Sequence, residues 1–244
     1  MCLSAVIGEL PEQKGVPALT GRPKLIIFDC DGVLVQSEEI TLSVLISMLN
    51  ALAKGRVVLD VTCFIERFRG RKIADCLREA EMILNVRLSS EFEQRFRERA
   101  LAALTLNVKA TEGVVDVLQA LDIPYCVASS APRNKIEQCL QLTGLSSYFQ
   151  GRIFSCYELG RWKPDPLVFT TACDTYNVDV RDALVIEDSV AGIQAAVAAN
   201  IRVLGFGPPE RHGILADAGA LPFSSMRELL IRINHVNLLR EEPV

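Results

Sequence analysis

Two aspartates, Asp29 and Asp31, follow the apolar run "LIIF" (25–28) and stand directly before Gly32. Glu187 and Asp188 close a second apolar run in "ALVIEDS" (183–189), and Lys163 sits between them in sequence, in "RWKPDP" (161–166). An ionised aspartate is a competent nucleophile at neutral pH when its target is as electrophilic as a metal-bound phosphoryl group. Asp29 is placed to attack. An acid two residues on points to the same side of an extended chain, so Asp31 is placed to protonate a leaving oxygen and then to activate water. Gly32 lets the chain turn away without a side chain in the pocket. Four carboxylates gathered at one rim raise one another's pKa unless they are compensated. A divalent cation and Lys163 nearly cancel them, and oxygen ligands in a chain with only two histidines, His212 and His235, favour Mg2+ over zinc. The metal candidates are Asp29, Asp31, Glu187 and Asp188.

Ser129 and Ser130 precede "APRNKIEQ" (131–138), where Pro132 suits the first turn of a helix. A hydroxyl and free backbone N–H groups at a helix start form a phosphate cradle. With Lys163, these serines are the phosphate-binding candidates.

The elements that must position these residues are short apolar runs alternating with helical periods. "KLIIFD" (24–29), "PYCVASS" (124–130), "GRIFS" (151–155), "ALVIEDS" (183–189) and "RVLGFG" (202–207) read as strands buried on both faces, as in a parallel sheet covered by helices. Between them, Val114, Val115, Leu118 and Leu121, then Ile136, Cys139, Leu140 and Thr143, keep helical spacing. This alternation predicts an α/β, doubly wound, Rossmann-like parallel sheet, which binds ligands at the carboxyl ends of its strands. From 37 to 109 the pattern is helical only: Val44, Leu45, Met48, Leu49 and Leu52; Ile73, Cys76, Leu77 and Ala80; Phe92, Phe96, Ala100 and Leu104. Ser90 and Glu93 have capping-box spacing at the start of the last of these. The expected organisation is an N-terminal extension (1–22), a core (23–36 and 110–244) and an inserted helical cap (37–109), with hinges near Gln36–Ser37 and Ala110–Gly113.

A formal net charge of −4 over 244 residues, half of them apolar, argues against general nucleic-acid binding. No basic start precedes a long apolar segment, and no stretch approaches the ~20 apolar residues of a membrane span. The eight cysteines lack zinc-knuckle or redox spacing and read as small buried hydrophobes in a reducing compartment, so a cytoplasmic setting is expected.

The ordered set "DCDGVLVQSE", "VASS", "RWKPDP" and "VIEDSVAGIQAA" resembles the four motifs of the haloacid dehalogenase-like superfamily, in its phosphatase and β-phosphoglucomutase branch, across about residues 24–207. The resemblance implies a helical cap and a phospho-aspartyl intermediate. By position, it makes Asp29 nucleophile and metal ligand, and Asp31 acid and base with its backbone carbonyl on Mg2+. Ser129 and Lys163 would hold phosphate, and Asp188 would bind the metal with Glu187 near it through water. Dehalogenases of the superfamily lack the second aspartate, so Asp31 favours phosphoryl chemistry. "YELGRWKPDP" together with "VIEDSVAGIQAA" is similar to sugar-phosphate phosphatases of the 6-phosphogluconate phosphatase type.

The expected activity is hydrolysis of a small phosphorylated metabolite, a sugar or sugar-acid phosphate. Two alternatives stand beside it: a phosphomutase, whose relatives carry a histidine in the first cap helix where this chain has Thr41, and an idle binder of a phosphometabolite or protein. "FRGRK" (68–72) is either a solvated turn or the cap loop that meets substrate, which makes Gly70, Arg71 and Lys72 the specificity candidates. Gln36 stands where relatives usually have aspartate. It lies at the entrance to the cap, so the chemistry is expected to survive and the hinge contacts to differ.

Overall fold

The computed structural model describes residues 21–53 and 59–238, with 234–238 described by their backbone alone. The expected N-terminal extension lies outside the described residues except for Gly21 and Arg22. Six strands form one sheet: β1 (Leu25–Phe28), β2 (Tyr125–Ser129), β3 (Ile153–Ser155), β4 (Ala183–Glu187), β5 (Arg202–Phe206) and β6 (Leu221–Phe223). The order is β3-β2-β1-β4-β5-β6 and every pairing is parallel. The chain winds outward from β1 to β3, then returns to β4 and winds the other way, so the switch point lies between β1 and β4. Five strands fall on the expected runs. The sixth, "LPF", was not anticipated because Pro222 interrupts it; as an edge strand paired only to β5, it tolerates a residue that cannot donate to a ladder.

Among the described residues five helices lie between β1 and β2: α1 (Glu38–Ala53), α2 (Val61–Phe68), α3 (Ile73–Leu84), α4 (Phe92–Asn107) and α5 (Val114–Ala120). The rest are α6 (Arg133–Leu142), α7 (Cys156–Leu159), α8 (Leu167–Tyr176), α9 (Val190–Ala198), α10 (His212–Asp217) and α11 (Met226–Leu238). Strand side chains alternate between two cores. Ile26 and Phe28 pack with α5, α6 and α11, whereas Leu25 and Ile27 pack with α8, α9 and α10. A third core, closed around Leu45, Leu49, Phe68, Phe92 and Phe96, belongs to the 37–109 segment itself.

Three local expectations are corrected. Ser90 does not cap α4: Glu91 is the N-cap and makes no side-chain cap bond, and the preceding turn closes instead through Phe92 N–H to Ser89 O (2.9 Å). Pro132 is the N-cap of α6 rather than part of its first turn. Leu52 and Val115 point outward, the core position of the latter being taken by Val117. Six of the described cysteines are free and buried, but Cys63 is exposed on α2. Among the described residues no helix is long and apolar enough to cross a membrane.

The two chain crossings between core and helical segment meet. Val35 and Ala110 form an antiparallel bridge, Gln36 N–H donates to Lys109 O (2.9 Å), and Thr111 N–H donates to Leu34 O (2.9 Å). Gln36 itself is exposed there.

Phe96 is 2% exposed inside the third core. Phe96→Ala is expected to lower unfolding free energy by about 3–5 kcal/mol, measured by urea denaturation. A loss under about 1 kcal/mol would show that the helical segment's core does not contribute to the cooperative unit.

Candidate active site

The strand ends at the switch point deliver the acids. Asp29 follows β1, and Glu187 closes β4 with Asp188 next to it. Lys163, on the loop between α7 and α8, enters between them: its Nζ donates to Asp29 Oδ1 (2.6 Å), Glu187 Oε1 (2.7 Å) and Ala128 O (3.0 Å). Burial works against the ammonium, yet Asp29 and Glu187 override it and raise the Lys163 pKa. Both carboxylates thus favour the ammonium form of Lys163.

Asp29, Glu187 and Asp188 are buried, and each brings a carboxylate oxygen within 4.8 Å of the others. Burial raises the Asp29 pKa well above the usual range against the attraction of Lys163, with Glu187 and Asp188 adding to the rise. Burial and Glu187 push Asp188 up to about 6, against Arg69 and Arg211. Lys163, Arg69 and Arg211 offset part of this burial cost, and the hard oxygen donors of the three acids fit a divalent cation such as Mg2+. Glu187 is the most committed of the three, because its Oε2 also accepts from Asp188 N–H (2.8 Å), Ser189 N–H (2.8 Å) and Ser189 Oγ–H (2.9 Å).

Asp31 does not join this group. The chain turns at Gly32 (φ +86°) instead of continuing extended, and Asp31 Oδ1 accepts from Lys135 Nζ (2.8 Å) and from Ser37 Oγ. Burial alone would raise its pKa, but Lys135 and Ser37 hold it below the usual value. Three carboxylates therefore cluster, and the fourth stands apart on its own lysine while lining the same cavity.

Backbone room sets the spacing. A Cβ on Gly32 would overlap Asp188, one on Gly192 in the first turn of α9 would overlap Glu187, and one on Gly70 would overlap Ser189. The first two glycines let the core acids approach. The third brings the 68–72 loop of the helical segment onto the core.

A cavity of about 270 Å3 opens over Asp29, Asp31, Ser129, Ser130 and Lys163. Ser129 Oγ accepts from Ala131 N–H (3.1 Å), fixing the turn into α6. Of the specificity candidates, Gly70 and Arg71 line this cavity, although Arg71 is paired to Glu79 (2.8 Å). Lys72 does not line it; its ammonium lies 3.6 Å from the centre of the Trp162 ring.

The matched family model is the haloacid dehalogenase-like hydrolase, over residues 23–200. The chain belongs to this family. The hydrolase is 32% identical over 186 residues to the 6-phosphogluconate phosphatase of Escherichia coli (strain K12), covering 76% of this chain and 83% of that one. It is 28% identical to the phosphorylated carbohydrates phosphatase of Thermotoga maritima, over 88% of this chain and 98% of the relative. A solved haloacid dehalogenase-like protein of unknown function from Agrobacterium tumefaciens superposes with a TM-score of 0.77 at 34% identity, covering 88% of the hydrolase and 99% of that chain. The hydrolase is accordingly of the phosphoric monoester class.

Several residues that complete the site lie outside the residues singled out above. Lys135 holds Asp31; its signal was a basic residue in the first turn of α6, where the helix dipole disfavours it. Arg69, seen only as one of three loop cations, reaches Asp188 Oδ2 (2.9 Å). Glu38 lines the cavity and accepts from Gly70 N–H (2.6 Å), and burial raises its pKa well above the ordinary carboxylate range. Nothing in a single sequence marks that long-range meeting.

Lys163→Ala leaves Asp29 and Glu187 without their shared cation. A loss of about 3–5 kcal/mol in unfolding free energy is expected in EDTA, and a smaller loss in millimolar Mg2+. Equal losses in the two buffers would speak against a cation at these carboxylates.

Proposed function

We propose that the hydrolase is a Mg2+-dependent phosphatase that cleaves a small phosphorylated metabolite, a sugar or sugar-acid phosphate, through a phospho-aspartyl intermediate. The observation that carries this reading is the buried Asp29 carboxylate, held by Lys163 at the floor of a cavity that also contains Asp31 and the Ser129 turn. Asp29 and Asp188 would hold Mg2+, joined by the main-chain carbonyl of Asp31 in the family pattern and backed by Glu187, whose oxygens are already largely occupied. When bound, the ion supplies positive charge that offsets the carboxylates and the phosphoryl oxygens.

Asp29 attacks phosphorus, the ester P–O bond breaks, and the leaving oxygen takes a proton from Asp31. Asp31, now ionised, removes a proton from water. That water attacks the acyl phosphate, releases inorganic phosphate and regenerates Asp29. Lys135 and Ser37 keep Asp31 ionised in the free chain, which suits the second step. For the first step, an incoming phosphate dianion raises the proton affinity of Asp31 and competes for Lys135.

The 37–109 segment acts as a cap that excludes water during these steps. A cavity of about 270 Å3 suits a metabolite-sized leaving group, and Glu38, Arg97, Asn134, Gln138 and Tyr157 offer polar contacts to hydroxyls around it. The relatives from Escherichia coli and Thermotoga maritima support a phosphorylated carbohydrate. Thr41 lines the cavity with its hydroxyl donating to Ser37 O (2.9 Å), so it offers no base where mutase relatives carry histidine.

Asp29→Asn is expected to lower kcat by at least about a thousandfold across a Mg2+-supplemented panel of sugar and sugar-acid phosphates, with an unchanged circular dichroism spectrum. Retained turnover of any good substrate by the variant would exclude Asp29 as nucleophile. Conversion of β-glucose 1-phosphate to glucose 6-phosphate without phosphate release would assign a mutase instead.

A further inference from the structure

A second cavity, of about 330 Å3, opens where the cap loop meets the core, sharing only Arg71 and Lys163 with the lining of the first. Six of its lining residues are cationic: Arg67, Arg69, Arg71, Lys72, Lys163 and Arg211. Two lining acids face them, and neither is free to balance the surplus. Glu66 is engaged by Arg211 (3.0 Å) and Arg69 (3.5 Å), and Asp75 pairs with Arg78. Arg67 and Arg71 share the single carboxylate of Glu79. Lys72 has no carboxylate partner among the described residues and rests on Trp162 instead.

The core wall of this cavity is the start of α9. Val190 and Ala191 line it, and their N–H groups precede the first intrahelical bond, at the positive end of the helix dipole. An independent feature points the same way: the Arg69 side chain is only 9% exposed, and its Nε is buried without a hydrogen-bond partner. A buried donor of this kind is costly unless something accepts from it. Cations from the cap, cations from the core and a helix start thus line one space, with Arg69 and its unsatisfied N–H among the lining residues.

We infer that this seam is a second anion site, which takes a free phosphate dianion between cap and core, separate from the catalytic cavity. The dianion is favoured over a monovalent ion because at least two positive charges here lack a carboxylate of their own, and because donors approach from both walls. An anion seated there touches Arg67 and Lys72 of the cap together with Arg211 and α9 of the core, so it ties the cap in the position seen here. The cleft goes beyond the hydrolytic chemistry and does not depend on the identity of the substrate.

The test counts phosphate bound to the full chain by equilibrium dialysis with radiolabelled inorganic phosphate, at fixed ionic strength, in Mg2+ and without substrate. Gln194 is exposed and lines the cavity from α9. Gln194→Glu is expected to bind one phosphate fewer than the native chain, or to bind it at least tenfold more weakly, while Gln194→Ala binds as the native chain does. Lys72→Gln, on the opposite wall, is the second variant and is expected to lose the same phosphate. Equal stoichiometry and affinity in the native chain, Gln194→Glu and Lys72→Gln would overturn the inference.

Discussion

The Lys163 ammonium, lodged between Asp29 and Glu187, is the interaction on which the rest of the structure depends. Three carboxylates and one lysine are buried together at the strand ends, where the cost of desolvating charge is several kcal/mol per ion. The arrangement holds because every partner is fixed by an element that has its own reason to be rigid. β1 and β4 are buried on both faces and pair in register, the Ala128 carbonyl at the end of β2 takes the third Lys163 bond, and Phe169 of α8 lies under the ammonium at 4.9 Å. One lysine does not neutralise three acids; Arg69 reaches Asp188 (2.9 Å) from the helical segment, and the clustered carboxylate oxygens fit a hard cation.

The second constraint is proximity, and glycine supplies it. Asp188 can sit against Gly32, and Glu187 against Gly192, only because neither glycine presents a side chain. The same device repeats across the seam, where Gly70 admits Ser189. Around that contact the 37–109 segment meets the sheet side through charge and ring contacts: Arg69 on Asp188, Lys72 on Trp162, and Arg97 donating to Tyr157 Oη (2.8 Å). Trp162 and Lys163 are neighbours in the chain, so the loop that carries the buried cation also meets Lys72 of the 37–109 segment.

Much of this was legible in the chain because it is local. Runs such as "LIIF" and "ALVIE" are too apolar to be half-exposed, and acids directly after them must emerge at the carboxyl ends of parallel strands. Asp29, Glu187 and Asp188 are placed at one rim by that alone. Less legible were features fixed by the third dimension. Asp31 looked like a member of the cluster because two-residue spacing implies a shared face, but the turn at Gly32 ends the extended chain and Lys135 draws the carboxylate aside. Arg71, read as either part of a solvated turn or a specificity residue, lines the cavity and is paired to Glu79, whereas Arg69, not singled out for specificity, makes the contact to Asp188. Loop charges at 69, 71 and 72 lie between two helices and carry no period from which direction can be read. β6 escaped because an edge position excuses its proline, and edge status is a property of the sheet rather than of the segment.

The bridge between Val35 and Ala110 bears on how such a molecule can change over evolutionary time. Residues bridged in an antiparallel pair lie about 5 Å apart, so everything between them enters and leaves the core through one narrow doorway. The helical segment has its own apolar interior, and the sheet keeps its two flanking layers whatever fills the doorway. A shorter turn or a different set of helices could be spliced at the same place without altering the register of a single strand. The acids and lysine would remain where the sheet puts them, and selection could rewrite what they are offered.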